Sequence, residues 1–233
     1  MNRSILVSKK FGVVAVALIM SMGFVACNDD EDVVPVEDQS KVGVLNLMTD
    51  ETVLDVHLGE KKINSTGITG QTFTYFTVDA QQDRLSIFEA GETDTLVSAH
   101  HHFKAGENFS AIVFGNADDA ELLIASDDLE DPTGGKSKIR FANLLDADHP
   151  LELWMADAEE ALQDEAAYAT VKTFIEVEPV TDVTLQVRGV DSEEILADLE
   201  EVKFESGKIY TVLVLNSVLE GVETPVIRVI TNN

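Results

Sequence analysis

Three consecutive histidines, His100–His102, are the residues whose type and spacing most directly suggest chemistry. Side chains at alternate positions of a β-strand share a face, so a strand here would place His100 and His102 side by side. Paired imidazoles are ligands for zinc or copper, with His57 or a carboxylate as a third ligand. The spacing fixes no third ligand, and a solvated strand face is the simpler interpretation. We therefore predict no cofactor and keep His100 and His102 as the candidate metal ligands.

Two acidic segments, Asp127–Asp131 and Asp146–Asp148, suggest calcium chemistry. Calcium takes roughly six to eight oxygen ligands, yet neither segment has the spacing or the turn glycine of an EF-hand loop. A solubilising surface that protects strand edges is the favoured interpretation. Gly134–Ser137 ends like a nucleotide-binding loop, but Glu130 stands where that loop needs glycine, and the pattern that follows predicts a strand. We therefore predict no nucleotide site.

The single tryptophan, Trp154, is a candidate contact for a ligand. It alternates with Leu153 and Met155, so the pattern directs its ring away from their shared core. An outward indole can stack on a sugar or anchor a partner protein, whereas cover by a neighbouring domain or an alanine-rich insertion would make it structural. His57 lies on the polar side of an alternating segment and is a second candidate contact. No Gly-x-Ser-x-Gly motif accompanies them, and we predict that the protein is not an enzyme.

Cys27 is the one cysteine of the chain, and it follows an export signal. Residues 1–26 combine a basic start, an apolar run over Phe11–Met20 and small residues, and the apolar run is too short to span a membrane. Phe24–Cys27 resembles a bacterial lipobox. The resemblance implies that the signal is removed, that the Cys27 thiol carries a diacylglycerol and that the new amino terminus carries an acyl chain such as palmitate.

The chain contains 43 acidic and 16 basic residues, a formal net charge of −27 at pH 7. Such a charge opposes contact with nucleic acid and anionic membranes, so lipid would have to supply the membrane contact. Residues 27–40 contain six carboxylates, and we predict an extended, disordered acidic tether. Asn28–Asp32 resembles the acidic export signals of Bacteroidetes lipoproteins. This resemblance implies the outer face of the outer membrane, and a periplasm-facing anchor stays open.

An internal repeat determines the predicted architecture. Three segments recur at offsets of 97, 97 and 101 residues, namely Val42–Leu47 as Ile139–Leu144, Leu54–Leu58 as Leu151–Met155, and Phe103–Gly106 as Phe204–Gly207. Four residues were therefore gained between the last two matches. We place them in the alanine-rich stretch 156–170, where Ala156–Ala167 consists mostly of good helix formers and predicts a short helix.

Each repeat shows seven short segments with alternating apolar and polar residues, the pattern of half-buried strands. We predict strands at 42–47, 53–58, 72–79, 84–89, 95–103, 109–114 and 121–125, and at 138–144, 151–156, 171–178, 182–188, 195–204, 208–215 and 225–231. Seven strands in about 95 residues suit an antiparallel sandwich of immunoglobulin-like type. The predicted fold is therefore all-β, with sandwich domains at 41–130 and 138–233 and a linker at 131–137. Phe109–Phe114 and Ile209–Leu215 are apolar on both faces, which indicates central strands or strands that lie against the other repeat.

Asn46 and Asn143 each end the first strand of a repeat, and a Leu-x-Val or Leu-x-Leu strand follows after a short turn. The late Phe-x-x-Gly motif continues in the second repeat as Gly207–Val212 (GKIYTV), whereas Gly106–Ala111 of the first repeat lacks the tyrosine. These motifs resemble the domain of unknown function 4397 family. The resemblance implies extracytoplasmic bacterial β-domains, often in tandem on lipoproteins, and no particular activity. We also predict a tyrosine-corner hydrogen bond from Tyr210.

These features together predict a lipid-anchored, non-enzymatic binding protein of the outer membrane or cell surface. Its partners would be the membrane, through the N-terminal lipid, and a protein or glycan ligand, but not nucleic acid. The alternative is a fimbria-like or other structural surface subunit. However, the first arginine after Cys27 is Arg84, and the arginine-specific cleavage that fimbrillins need would remove several predicted strands. A metal-dependent enzyme is the third hypothesis.

Overall fold

Seventeen β-strands and one short 3-10 helix make up residues 38–70, 72–219 and 222–233, the part of the chain that the structure, a computed structural model, describes. The strands of the first repeat are β1 (Gln39–Met48), β2 (Leu54–Leu58), β3 (Lys61–Lys62), β4 (Thr74–Asp79), β5 (Gln81–Glu89), β6 (Thr95–Phe103), β7 (Asn108–Asn116) and β8 (Asp119–Asp127). The strands of the second repeat are β9 (Ser137–Asn143), β10 (Leu151–Met155), β11 (Gln163–Ala166), β12 (Thr170–Val171), β13 (Ile175–Val177), β14 (Val180–Gly189), β15 (Ile195–Phe204), β16 (Ile209–Leu219) and β17 (Val222–Thr231). No α-helix occurs in these ranges, and the predicted all-β class is confirmed.

The first repeat forms two sheets, ordered β4-β1-β7-β8 and β3-β2-β5-β6. Successive side chains of a strand point to opposite faces, so every second residue of these strands faces the space between the sheets. Val44, Val56, Ile87 and Ala111, from β1, β2, β5 and β7, meet there with 0% exposure. The two sheets therefore enclose an apolar core, as a β-sandwich does.

The second repeat has the same plan. Its sheets are ordered β12-β9-β16-β17, with β13 also paired to β9, and β11-β10-β14-β15. Ile139, Leu153, Leu185 and Val212 belong to the core between them. The strands β9, β10, β14, β15, β16 and β17 take the places that β1, β2, β5, β6, β7 and β8 hold in the first repeat. The tandem sandwich architecture is therefore confirmed.

One strand pair in each repeat departs from the expected antiparallel pattern. β1 runs parallel to β7, and β9 runs parallel to β16. In both cases the first strand joins the sheet beside a late strand of the same direction, while the other pairs are antiparallel. Parallel partners cannot be joined by a hairpin. The first strand of each repeat therefore pairs with a strand that is distant in sequence.

The helix predicted over Ala156–Ala167 is wrong. The segment contains β11, which pairs antiparallel with β10 at the edge of the sheet β11-β10-β14-β15, the outer sheet of the second repeat. The Leu162 amide donates to the Leu153 carbonyl at 2.8 Å, and both end residues of β11 are buried. A helix of this length is marginal by itself, so pairing with an available sheet edge and burial of two side chains outweigh the helix propensity of the alanines.

Two boundaries also differ from the sequence prediction. β1 begins at Gln39, inside the segment 27–40 predicted as tether, because Gln39 and Ser40 pair with β4. The strand predicted at 171–178 is divided into β12 and β13, which both pair with β9. Residues 27–37 of the tether and the signal segment 1–26 lie outside the described residues.

The described residues form one compact unit that contains both sandwiches. The 3-10 helix at Thr133–Gly135 lies between β8 and β9, in the predicted linker 131–137. The domain limits 41–130 and 138–233 stay a prediction. No helix of the described ranges has the length and apolar character needed to cross a membrane.

The sheets β4-β1-β7-β8 and β12-β9-β16-β17 pack against each other, and we call this contact the seam. Its buried residues are apolar and come from both repeats, namely Leu45, Leu47, Ile112, Phe114, Ala142, Leu144, Leu213, Leu215 and Ile230. The two inner sheets therefore have both faces covered. Phe109–Phe114 and Ile209–Leu215 were predicted as central strands or as strands against the other repeat, and both descriptions hold for β7 and β16.

A buried polar cluster also crosses the seam. Arg140 of β9 donates to Asp127 of β8 at 2.7 Å, and both side chains have 0% exposure. Arg140 further donates to the hydroxyls of Ser110 at 2.8 Å and Thr211 at 3.0 Å. Burial, reinforced by the charge of Asp127, raises the pKa of Tyr75 to about 12. Directional bonds thus fix the two sandwiches to each other in addition to the apolar contact.

Candidate functional site

His57 and Trp154, the two predicted ligand contacts, occupy equivalent positions on the two outer sheets. The repeat offset of 97 residues relates them, and each lies on the second strand of its repeat. His57 is opposite Ser86, and Trp154 is opposite Gln186. Both rings are half-buried on the side of the sheet that faces away from the sandwich core. The structure therefore confirms that both side chains point outward, but it places them on different sheets.

The His57 ring lies in a small mixed patch. Its centroid is 4.6 Å from that of Phe88, with the ring planes inclined at 48°. Lys62 is opposite His57 on β3, and its ammonium contacts the Asp55 carboxylate at 2.7 Å. This Lys62 contact holds the pKa of Asp55 below its usual value. The patch combines an aromatic surface with a neutralised ion pair.

Trp154 is covered by side chains of its own sheet. Its indole N–H donates to Glu152 Oε2 at 3.0 Å, and the Arg188 guanidinium lies 4.8 Å from the ring centroid. Arg188 also donates to Gln186, while its Nε is buried without a hydrogen-bond partner. Arg188 thus provides cover from within the same sheet. One face of the indole is thus occupied, which weakens Trp154 as a stacking platform.

His100 and His102 are exposed on β6, on the same face of the outer sheet. Arg84 directs Nε and Nη2 to His100 Nε2 at 3.2 and 3.1 Å, so that nitrogen accepts hydrogen bonds from a cation. His101 points to the other face, where its ring packs 5.0 Å from that of Phe103, and burial lowers its pKa. Within the ranges the structure describes, no three His, Cys, Asp or Glu side chains are grouped as a metal site would require. Cys27 lies outside the described residues, and its lipidation stays a prediction.

A concave region lined by both repeats lies at one end of the seam. This seam cleft has a volume of about 610 Å³, within the usual range for ligand sites. Both repeats line it, through Asn46, Leu47, Met48, Thr49, Glu51, Thr69, Gly70, Leu215, Asn216, Ser217, Val218 and Arg228. Apolar side chains from the seam are thus surrounded by hydroxyl and amide groups, with one carboxylate and one guanidinium.

A smaller acidic recess of about 240 Å³ shares part of this lining, including Leu47 and Asn216. Its other residues include Tyr168 and four acidic side chains, namely Asp119, Glu121, Asp146 and Glu223. The Tyr168 hydroxyl donates to Glu121, and burial together with this bond raises the pKa of the phenol. Tyr168 therefore stays neutral at physiological pH and serves as a hydrogen-bond donor.

The turn that forms one cleft wall is fixed by polar side chains. Asn46 donates to the carbonyls of Thr52 at 2.7 Å and Ile68 at 2.9 Å, and its side-chain oxygen accepts from the Met48 amide. Partial burial acts to raise the pKa of Asp50, but hydrogen bonds from Thr52 and the Ala117 amide hold it below its usual value. The wall is therefore rigidly built before any ligand arrives.

The family motifs have structural roles. Asn143 repeats the behaviour of Asn46, since it donates to the Ala166 carbonyl at 3.0 Å and accepts from the Leu145 amide. The Tyr210 hydroxyl accepts from the Glu205 amide at 3.1 Å, so the predicted tyrosine-corner bond is confirmed. Asn143 and Tyr210 fix turns and strand ends but are not among the residues that line the seam cleft. Asn46 does both.

The seam cleft is absent from the sequence predictions. Strands that are apolar on both faces indicated that the repeats could meet. The cleft, however, depends on the space left between the turn after β1 and the end of β16. That spacing is a property of packing, and no motif in the sequence marks it. The polar residues at the strand ends, such as Thr49, Asn216 and Ser217, were the one available signal.

The fold and its seam define a tandem β-sandwich protein. Residues 40–154 match the family described as Domain of unknown function (DUF4397). The matched region covers nearly all of the first repeat, β9 and most of β10. The resemblance seen in the sequence motifs is thereby confirmed.

No curated protein matches the sequence. Among solved structures, the chain matches the crystal structure of CBMbc, a family CBM26 module from Eubacterium rectale Amy13K, in complex with maltoheptaose. The identity is 12%, the match covers 80% of this chain and 95% of that chain, and the TM-score is 0.27.

Proposed function

We propose that this protein is a non-enzymatic binding module that takes its ligand in the seam cleft. The observation that carries the proposal is that both repeats contribute walls to a concave site of about 610 Å³. The buried Arg140–Asp127 pair and the apolar seam hold those walls in a fixed relation. Binding then costs little conformational entropy, because the site is formed in advance.

The lining favours a glycan ligand. Thr49, Thr69, Asn216 and Ser217 present hydroxyl and amide groups, which both donate and accept hydrogen bonds as sugar hydroxyls do. The apolar floor around Leu215 suits the C–H faces of a sugar ring. A neutral or weakly charged chain fits better than a strongly anionic one, since the whole protein carries a net charge of −27.

Binding rather than hydrolysis is supported by the carboxylates of the cleft. Glycoside hydrolysis needs two carboxyl groups on either side of the scissile bond. Glu51 is the one acidic residue among those that line the seam cleft, and Glu223 of the neighbouring recess accepts a hydrogen bond from Asn216 at 3.2 Å. The cleft lining itself therefore supplies one carboxyl group rather than a pair.

We further propose that the module is held at the outer membrane by lipid on Cys27, with its ligand site exposed to the cell surface. The export signal, the lipobox-like residues before Cys27 and the acidic segment after it support this location. Mass spectrometry of the native protein should find an acylated amino-terminal cysteine, and a Cys27→Ser variant should keep its leader. Protease treatment of intact cells should degrade the protein; protection of the protein would place it on the periplasmic face.

The ligand assignment can be tested with a glycan array followed by calorimetric titration of the best binder. The double substitution Asn216→Ala and Ser217→Ala should weaken binding about tenfold, because two neutral hydrogen bonds are lost. Trp154→Ala is the matched control on the outer sheet and should leave affinity within about twofold. Loss of binding in Trp154→Ala with retention in the double variant would move the site to the outer sheet and reject the seam cleft.

A further inference from the structure

We propose that the outer face of the sheet β3-β2-β5-β6 is a second binding site, for a ligand that carries a sulfate, phosphate or carboxylate group. The face belongs to the first repeat and lies on the opposite side of that sandwich from the seam. The proposal therefore does not depend on the seam cleft.

The register between β5 and β6 builds the site. Side chains of directly opposed residues share a face, and Arg84 is opposite His100 while Gln82 is opposite His102. Ser86 and Ser98 form the next pair along the same face. These three pairs occupy six of the outward positions of the two strands, and they carry one guanidinium, two imidazoles, one amide and two hydroxyls. Ser86 is buried, and the other five side chains are exposed and can donate a hydrogen bond to an oxyanion.

The charge of this face is opposite to that of the molecule. The chain has a net charge of −27, yet none of the six outward positions is a carboxylate. On the neighbouring strand β2, Asp55 is bound to Lys62 at 2.7 Å and its side chain is 11% exposed, so its charge is neutralised. Within the described residues, no carboxylate lies within salt-bridge distance of Arg84. The carboxylate next to it in sequence, Asp83, belongs to the other face of the sheet.

Arg84 is held in position for an incoming anion. Its Nε and Nη2 both donate to His100 Nε2, at 3.2 and 3.1 Å, which uses two of the five N–H groups of the guanidinium. The remaining N–H groups keep the planar fork that binds oxyanions in a bidentate manner. Because His100 fixes the side chain, less rotamer entropy is lost on binding.

The site is confined to the first repeat. At the repeat offset of 101 residues, His100 corresponds to Glu201 and His102 to Lys203, and Glu200 precedes them on β15. The equivalent outer sheet thus carries an acid and a lysine where the first repeat carries two imidazoles. This difference supplies an internal comparison, since a general affinity for anions would not depend on Arg84.

The test is isothermal titration of the purified full chain at pH 7 and about 20 mM salt, where surface charges are weakly screened. The probes are a sulfated tetrasaccharide, a uronic-acid tetrasaccharide and inorganic phosphate, which distinguish the sources of the oxyanion. At least one probe should bind, and Arg84→Ala should weaken it about tenfold or more, because charge-assisted hydrogen bonds are lost. Arg84→Lys should restore only part of the affinity, since lysine keeps the charge but not the fork.

Lys203→Ala is the matched control, because it removes one positive charge from the equivalent sheet of the second repeat. It should leave affinity within about twofold. Equal weakening by Arg84→Ala and Lys203→Ala would show diffuse electrostatics and overturn the proposal, as would failure of all three probes to bind. The Asn216→Ala and Ser217→Ala double variant should bind these probes normally, which separates this site from the seam cleft.

Discussion

At the residue scale, the pair Arg140–Asp127 shows how a buried charge can join two domains. Both side chains have 0% exposure, and the guanidinium is also bound by hydroxyls of Ser110 and Thr211. Taking two ions out of water is costly, and their attraction repays that cost only when hydrogen bonds satisfy the remaining donors. The pair therefore contributes mainly to the relative position of the sandwiches, whereas loss of one partner leaves an uncompensated charge.

Asp127→Ala should lower the free energy of unfolding by about 3–5 kcal/mol, because Arg140 would stay buried without its counter-ion. Urea denaturation at pH 7 measures the change. Asp131→Ala is the control, since Asp131 is an exposed carboxylate in the same acidic stretch, and it should change stability by no more than about 0.5 kcal/mol. A loss below about 1 kcal/mol in Asp127→Ala would contradict a buried pair.

Asp55 predicts a pH dependence of stability. The Lys62 contact lowers its pKa in the folded protein, so between the folded value and the unfolded value of about 3.9 the unfolded chain binds more protons. The stabilisation from Asp55 is therefore present above that unfolded value and is lost as the pH falls through the folded pKa. Urea midpoints measured from about pH 5 downward should fall less steeply in Asp55→Asn than in the wild type. Identical slopes in the two proteins would rule out this contribution.

At the scale of the strands, the period of two in the sequence was sufficient to find most of the fold. Predicted strands such as 95–103 and 195–204 coincide with β6 and β15, because one face of each strand is buried and the other is solvated. The error over Ala156–Ala167 arose where local propensity and tertiary pairing compete, and sequence periodicity does not report an open sheet edge. The parallel pairs were missed for a related reason, since strand direction within a sheet depends on chain topology.

The candidate sites were predictable only in part. Alternation correctly directed His57, Trp154, His100 and His102 to outer faces, because that pattern is local. The Arg188 cover over Trp154 and the Arg84–His100 contact depend on cross-strand register, which the sequence does not specify. The seam cleft depends on how two sheets pack against each other, which is harder to predict from the sequence than the register within one sheet.

The β11 strand provides a test at this scale. Ala166 is 1% exposed and faces the second core, whereas the adjacent Ala167 is exposed. Ala166→Asp should destabilise the protein by about 3 kcal/mol or more, because it buries a carboxylate, and Ala167→Asp by no more than about 0.5 kcal/mol. Thermal and urea unfolding measure both. Similar effects of the two substitutions would argue against the burial of Ala166 against the core of the second repeat.

At the scale of the whole molecule, the seam makes two repeats into one body. Each sandwich has its own core, but the inner sheets bury a second apolar face that neither repeat could leave exposed to water without cost. The same packing creates the seam cleft and keeps the two outer faces apart, one with Trp154 and one with the Arg84–His100 pair. The two proposed binding sites are therefore on separate surfaces of one compact body.

The seam predicts cooperative unfolding. Differential scanning calorimetry should show one transition with equal calorimetric and van't Hoff enthalpies, because unfolding of one sandwich would expose the seam face of the other. Ile112→Asp places a carboxylate at a seam position with 0% exposure and should lower the midpoint and divide the trace into two transitions. Ala105→Asp adds the same charge at an exposed turn of the first repeat and should keep a single transition. Two transitions in the wild type would show that the sandwiches unfold independently, and the seam would then be a contact between separate domains rather than a shared core.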